Sequence, residues 1–234
     1  MSLKHEVRPI HLRPAAALAE RVLLPGDPRR ALAVAQALLD KPLMFNHSRG
    51  LWGYTGVAAD DELLTVQSTG MGGPSAAIVV EELIALGARR LVRIGTCGAL
   101  DGRLAAGGLV AAERVLPADG ASAALGAGAP IEPNAKLTQA LVEAGAQPAT
   151  VVSTDLFYDP RGEADGWVGK GASVVEMEAA AVLSVAARRG AAAACVLGIS
   201  DVPGPEGSRR LSDEELEELG LRLGRAGYAA VRNP

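Results

Sequence analysis

Aromatic side chains are nearly missing: among 234 residues there are two Phe, two Trp and three Tyr. A core must therefore be built from Ala, Val and Leu, for which the 49% hydrophobic content is ample. Cysteine is equally scarce. Cys97 and Cys195 are too few for a disulfide framework and suit a reducing cytoplasm. No basic tract is present, and a formal net charge of −4 argues against a nucleic-acid surface. The longest apolar stretches, such as 191–199, fall far short of the ~20 residues of a membrane span. Met1–Glu6 lacks the apolar centre of a signal peptide. No His, Cys or acidic spacing suits a metal. These absences lead us to expect a cytoplasmic protein with no membrane or nucleic-acid partner, no metal and no organic cofactor.

What is present alternates. Short aliphatic runs (21–24, 63–68, 91–94, 109–113, 150–153, 173–176 and 194–199) predict strands. Ala/Leu-rich patterns (28–39, 74–86, 134–144, 178–189 and 213–230) predict helices. Residues 51–59 read as a strand turning back into 63–68, a hairpin. The alternation predicts an α/β fold: a mixed, largely parallel central sheet flanked by helices, in a single domain over 1–234. The Gly/Ala-rich stretch 118–133 reads as a surface loop. Ser212-Asp213-Glu214-Glu215 has the form of a capping box for the last helix.

Three arginines stand beside glycines at the edges of apolar runs. Arg30 follows Gly26-Asp27-Pro28, Arg49 precedes Gly50, and Arg93 opens Arg93-Ile94-Gly95-Thr96-Cys97-Gly98. A guanidinium fork suits a tetrahedral oxyanion, and glycine lets backbone N–H groups approach it. The set points to a small anion, phosphate, held as a reactant. Alone, Gly26-Asp27-Pro28 reads better as an ordinary helix cap; Gly95–Gly98 is the stronger motif, glycines flanking a hydroxyl and two backbone donors, with a tight turn as its plain alternative. Cys97 reads as a small buried hydrophobe rather than a nucleophile. Most of these motifs fall just after a predicted strand, where open α/β sheets bind ligands.

Acids complete the pattern. Glu176-Met177-Glu178 lies where a strand passes into a helix; the dipole explains one acid, but two sharing a face need polar partners if buried. An ionised carboxylate only accepts hydrogen bonds, which suits the vicinal hydroxyls of a sugar. Asp201, after an apolar strand, is either a turn aspartate or a proton donor with a raised pKa. His11, alone near the chain start, is more often structural than functional.

Taken together, Pro9–Arg13, Leu23–Pro28, Arg49–Gly56, Gly70–Ser75, Arg93–Ala99, Asp155–Tyr158, Val175–Ala180 and Ser200-Asp201 resemble the nucleoside phosphorylase family of hexameric bacterial purine nucleoside phosphorylases and uridine phosphorylases. The resemblance implies phosphate binding by Gly26, Arg30, Arg93, Gly95 and Thr96, with Arg49 entering from a neighbouring subunit. It implies ribose binding by Met71, Glu176, Met177 and Glu178, with the neighbour's His11 on the 5′-hydroxyl. It places Cys97, Gly98, Phe157, Ser200 and Asp201 at the base, Asp201 protonating it as it leaves. The implied reaction is reversible phosphorolysis of purine ribo- or 2′-deoxyribonucleosides, with phosphate as co-substrate, in a homo-oligomer whose sites are shared across a dimer interface, up to a hexamer. A uridine phosphorylase and a nucleosidase of the same fold are the rivals. The glutamine and arginine that mark the uridine enzymes are replaced by Arg161 and Glu163. The arginine that assists the aspartate from the last helix in many purine enzymes is missing, Arg209 and Arg210 lying slightly upstream.

Overall fold

A computed structural model describes residues 8–204 and 207–232; Met1–Glu6 lies outside them. The strands are β1 (Arg21–Leu24), β2 (Leu39–Asn46), β3 (Gly53–Ala58), β4 (Leu63–Gln67), β5 (Arg90–Ala99), β6 (Leu109–Ala118), β7 (Gln147–Thr154), β8 (Val174–Glu176), β9 (Ala192–Val202) and β10 (Arg209–Arg210). The helices are α1 (Pro28–Leu38), α2 (Gly73–Leu86), α3 (Gly120–Ala124), α4 (Ala135–Glu143), α5 (Ala164–Gly169), α6 (Ala179–Arg189) and α7 (Asp213–Arg232).

The strands form one mixed sheet in the order β10-β9-β6-β7-β8-β5-β1-β4-β3-β2. Strand β9 also pairs with β5, so β5, β9, β6, β7 and β8 close a ring. Parallel β1, β4, β5 and β9 supply the spine, and the expected hairpin is the antiparallel pair β3–β4. One apolar cluster lies on the side of α2 and α6, including Val79, Leu83 and Val182. A second lies under α1, α4 and α7, including Val34, Leu141 and Leu223, and a small third holds Val152, Trp167 and Ala172. No described helix is long and apolar enough to cross a membrane.

Local chemistry sets the boundaries near the strand ends. Asp27 caps α1 by accepting from Arg29 N at 2.8 Å, with Pro28 in the first turn. The capping box holds: Glu215 N donates to Ser212 Oγ and Ser212 N to Glu215 Oε2. Four expectations are corrected. Leu39 leaves α1 directly into β2, which had no alternating pattern to reveal it. The stretch 118–133 is not all loop: Asp119 caps the short α3, and Ile131 bridges to Val115. Gly95–Gly98 is no turn but lies inside β5. Glu178 precedes α6 as its cap rather than beginning it.

Candidate active site

Arg93 is 3% exposed, and its guanidinium is clasped by both acids of the Glu-Met-Glu motif. Nε donates to Glu176 Oε2 at 2.8 Å and Nη2 donates to Glu178 Oε2. Nη1 is buried without a partner among the described residues. An unpaired donor in such a position costs free energy and lacks an accepting partner. Gly95 makes the pose possible, because a Cβ there would lie 2.6 Å from Arg93 Nη2 and 2.8 Å from its Cζ.

Glu176 and Glu178 differ in what they have left to give. Glu176 accepts from Arg93, from Ser153 Oγ, and from the backbone N–H groups of Glu178 and Ala179. Its oxygens thus fasten Arg93 to the start of α6. Ser153, which sequence reasoning missed, also accepts from Ala180 N at 2.9 Å and ties β7 into the same joint. Glu178 accepts from Arg93 and from Gly72 N. Burial pushes its carboxyl above the usual range; Arg93 and the more distant Arg30 pull it back, and Glu176 pushes it further.

The Arg30 guanidinium joins this group through the field rather than by contact. Its stem lies on Gly220 of α7, and burial lowers its pKa, with Asp27 and Glu178 acting against Arg93. No described residue hydrogen-bonds its guanidinium. Gly26 stands close to Gly70, whose carbonyl would be 3.3 Å from an added Cβ. The loops after β1 and β4 therefore meet beside the Arg93 cluster.

A second group lies where β5 and β9 run side by side. A bulge between Cys97 and Gly98 brings Asp201 opposite Gly98, and Asp201 Oδ2 would be 2.8 Å from a Cβ on that glycine. Ser200 Oγ reaches the Cys97 carbonyl at 3.1 Å and Asp201 Oδ1 at 2.7 Å. The two groups adjoin at Cys97, whose thiol senses Glu176, Asp201 and Arg93. Burial pushes that thiol and Cys195 well above the ordinary range, so both are inert. Cys97 is 3% exposed, and its carbonyl is met by Ser200 Oγ. Thr96 and Gly98 alternate with Arg93 and Cys97 along β5, and neither they nor Met177 is fully buried.

Arg210 stands directly across β10 from Asp201. Leu211 N donates to the Ser200 carbonyl at 2.9 Å, so this is a non-hydrogen-bonded pair, the kind whose side chains lie closest. Arg210 is exposed and makes no ion pair with Asp201 among the described residues.

Four expected residues are not gathered in by one chain. Arg49 is exposed, with φ 58° and no hydrogen-bond partner among the described residues. Met71 is 85% and Phe157 64% exposed, with Tyr158 edge-on to Phe157 at 5.0 Å. His11 hydrogen-bonds Glu82 of α2 through Nδ1 at 2.6 Å. Glu82 was missed too, although it falls three residues after Val79 on the buried face of α2. Arg161 is taken up by Asp159 and Glu163. No described group of His, Cys, Asp or Glu is arranged to hold a metal.

Residues 20–232 match the profile of the Phosphorylase superfamily. Among curated proteins, a DeoD-type purine nucleoside phosphorylase of Geobacillus kaustophilus is 34% identical, over 92% of this chain and 94% of its own length. One of Clostridium perfringens is 38% identical over 79% of this chain and 82% of its own. One of Clostridium beijerinckii is 35% identical over 82% and 85%.

Proposed function

The chain belongs to the Phosphorylase superfamily, and on that footing we propose that it catalyses reversible phosphorolysis of purine nucleosides, giving free base and a pentose 1-phosphate. The observation that carries this reading is the orphaned Nη1 of buried Arg93 beside the unpaired Arg30 guanidinium. Two guanidinium groups answer two carboxylates there, so a phosphate dianion calls for further positive charge. Arg49, free and exposed, supplies it from a second copy of the chain. The same neighbour covers Phe157 and brings His11, in a homo-oligomer built as a trimer of dimers. Two unpaired buried cysteines fit an enzyme working in the cytoplasm.

Phosphate held by Gly26, Arg30, Arg93 and Thr96 attacks C1′ of the sugar. A C1′–O bond forms as C1′–N9 breaks, and the electron pair of the broken bond passes into the base. Glu178, with acceptor capacity left after Arg93 and Gly72, holds the 2′- and 3′-hydroxyls. Fixing phosphate against the sugar makes the encounter effectively intramolecular, the largest share of the gain. Asp201 delivers a proton to N7 so that the base leaves neutral. When Ser200 Oγ donates to the Cys97 carbonyl, it is free to accept from a protonated Asp201, which keeps the acid form satisfied until transfer. Arg210 then receives the new carboxylate.

A purine reading is favoured over uridine because the glutamine and arginine of the uridine enzymes are replaced here by Arg161 and Glu163, which pair with each other. Assayed on inosine, adenosine, guanosine and uridine with and without phosphate, the protein is expected to release base from purine nucleosides and only when phosphate is present. Equal release without phosphate would make it a nucleosidase, and uridine as the best substrate would reverse the base assignment. Gly95→Ala, by displacing the Arg93 guanidinium, should lower kcat/KM for phosphate about 10- to 100-fold; unchanged phosphate kinetics would remove Arg93 from the anion site.

A further inference from the structure

Glu82 is an acid in the middle of an otherwise apolar helix, and 4% exposed. Its carboxylate takes the backbone N–H groups of Ile10, His11 and Leu12, at 3.1, 3.1 and 2.7 Å. The fourth donor is the His11 ring, Nδ1 lying 2.6 Å from Oε1. Burial opposes ionisation of Glu82, but the hydrogen bonds from Leu12, His11 and Ile10 outweigh it and hold the carboxyl below its usual range. An ionised carboxylate has no proton to give, so the hydrogen between the two groups belongs to Nδ1. In the neutral ring the other nitrogen, Nε2, is then a bare acceptor. Both Glu82 oxygens accept from His11 N, and they also take Ile10 N and Leu12 N on either side of it, so ring and main chain are fixed together. The imidazole keeps 24% exposure, enough to present one edge outward.

We infer that Glu82 sets the tautomer of His11 and thereby makes the enzyme selective for nucleosides that carry a hydrogen-bond donor at the 5′ position. The inference rests on the phosphorolysis reading, in which His11 serves a neighbouring subunit's sugar. Glu82 is a positioning residue: it touches no substrate but decides whether His11 accepts or donates. A free 5′-hydroxyl can donate to Nε2. A 5′-deoxy sugar cannot, and it leaves the acceptor unmatched, the situation in which polar sites discriminate most.

Two measurements test this. First, 15N-detected ring spectra of the labelled protein, in the alkaline range where imidazoles are neutral, are compared with those of His11→Ala to assign the signal among the three histidines. The expected pattern is a protonated Nδ1 and an unprotonated Nε2; the opposite tautomer overturns the inference whatever the activity. Second, kcat/KM is compared for adenosine and 5′-deoxyadenosine, each with phosphate, in the wild type and in Glu82→Gln. The glutamine keeps the size but offers the ring either an acceptor or a donor. Preference for adenosine is expected to fall about five- to tenfold, with 5′-deoxyadenosine little changed. An equal loss on both substrates would mean that Glu82 merely anchors residues 10–12, and would overturn the inference. If the wild type cleaves neither nucleoside, the phosphorolysis reading fails together with the selectivity, while the ring spectra still decide the tautomer.

Discussion

Replacing Arg93 by leucine is expected to abolish phosphorolysis and to lower the thermal midpoint by about 10 °C. Both effects come from one removal. Arg93 is the partner of Glu176 and Glu178, all three of them buried, and leucine leaves two carboxylates facing each other with no cation in contact. Breaking a buried pair by removing one partner costs about 3–5 kcal/mol, and each kcal/mol corresponds to about 2–4 °C in a chain of this size. The linkage has a defined sign. Stranded carboxylates titrate higher in the folded state than in the unfolded chain, so the variant should lose most at neutral pH and recover as pH falls toward 5. A thermal melt repeated from pH 5 to pH 8 checks this. A variant as stable as the wild type at pH 8 would mean that the glutamates are not held as the structure has them. Arg93→Lys separates charge from geometry: it should keep more of the stability, yet lose phosphate affinity, because a compact ammonium lacks the planar fork that spans both glutamates while presenting a donor to the anion.

Asp201→Asn is expected to lower kcat on inosine by about 10²- to 10⁴-fold, the usual worth of a general acid. Asparagine fills the same space over Gly98 and can still accept from Ser200 Oγ, so folding and phosphate affinity should be preserved. What it lacks is an acidic proton for N7. A nucleoside already methylated, and so positively charged, at N7 needs none, and the variant should cleave it within about tenfold of the wild-type rate. Losing both substrates equally would assign Asp201 to binding rather than to proton transfer. A normal rate on inosine would remove it from the reaction.

How much of this was legible in the residues depended on whether the signal was local. The start of α1 was readable because Asp27 and Pro28 carry their own cap chemistry, and the β3–β4 hairpin because its strands flank Asp60-Asp61. Strand β2 was not, since it exposes Leu43 and Met44, contains Pro42 and changes register twice against β3, leaving no alternation to detect. Glycines misled in one place. Gly95 and Gly98 read as the punctuation of a turn, whereas each clears space within β5 for a functional side chain, Arg93 or Asp201. The two acids of Glu176-Met177-Glu178 were visible as a pair that must find polar partners. Which of them kept free acceptors depended on Ser153 and the backbone of α6, neither implied by the motif. Arg210 likewise gained meaning only through the register of β10 against β9.

Phosphorus NMR of a reaction containing inosine and inorganic phosphate addresses the chemistry at its centre. Loss of the phosphate signal should match, one for one, the growth of a pentose 1-phosphate ester and the release of hypoxanthine, and adding that ester to free base should run the reaction backwards. Hypoxanthine appearing while the phosphate signal stays constant would contradict the role given to Arg30 and Arg93.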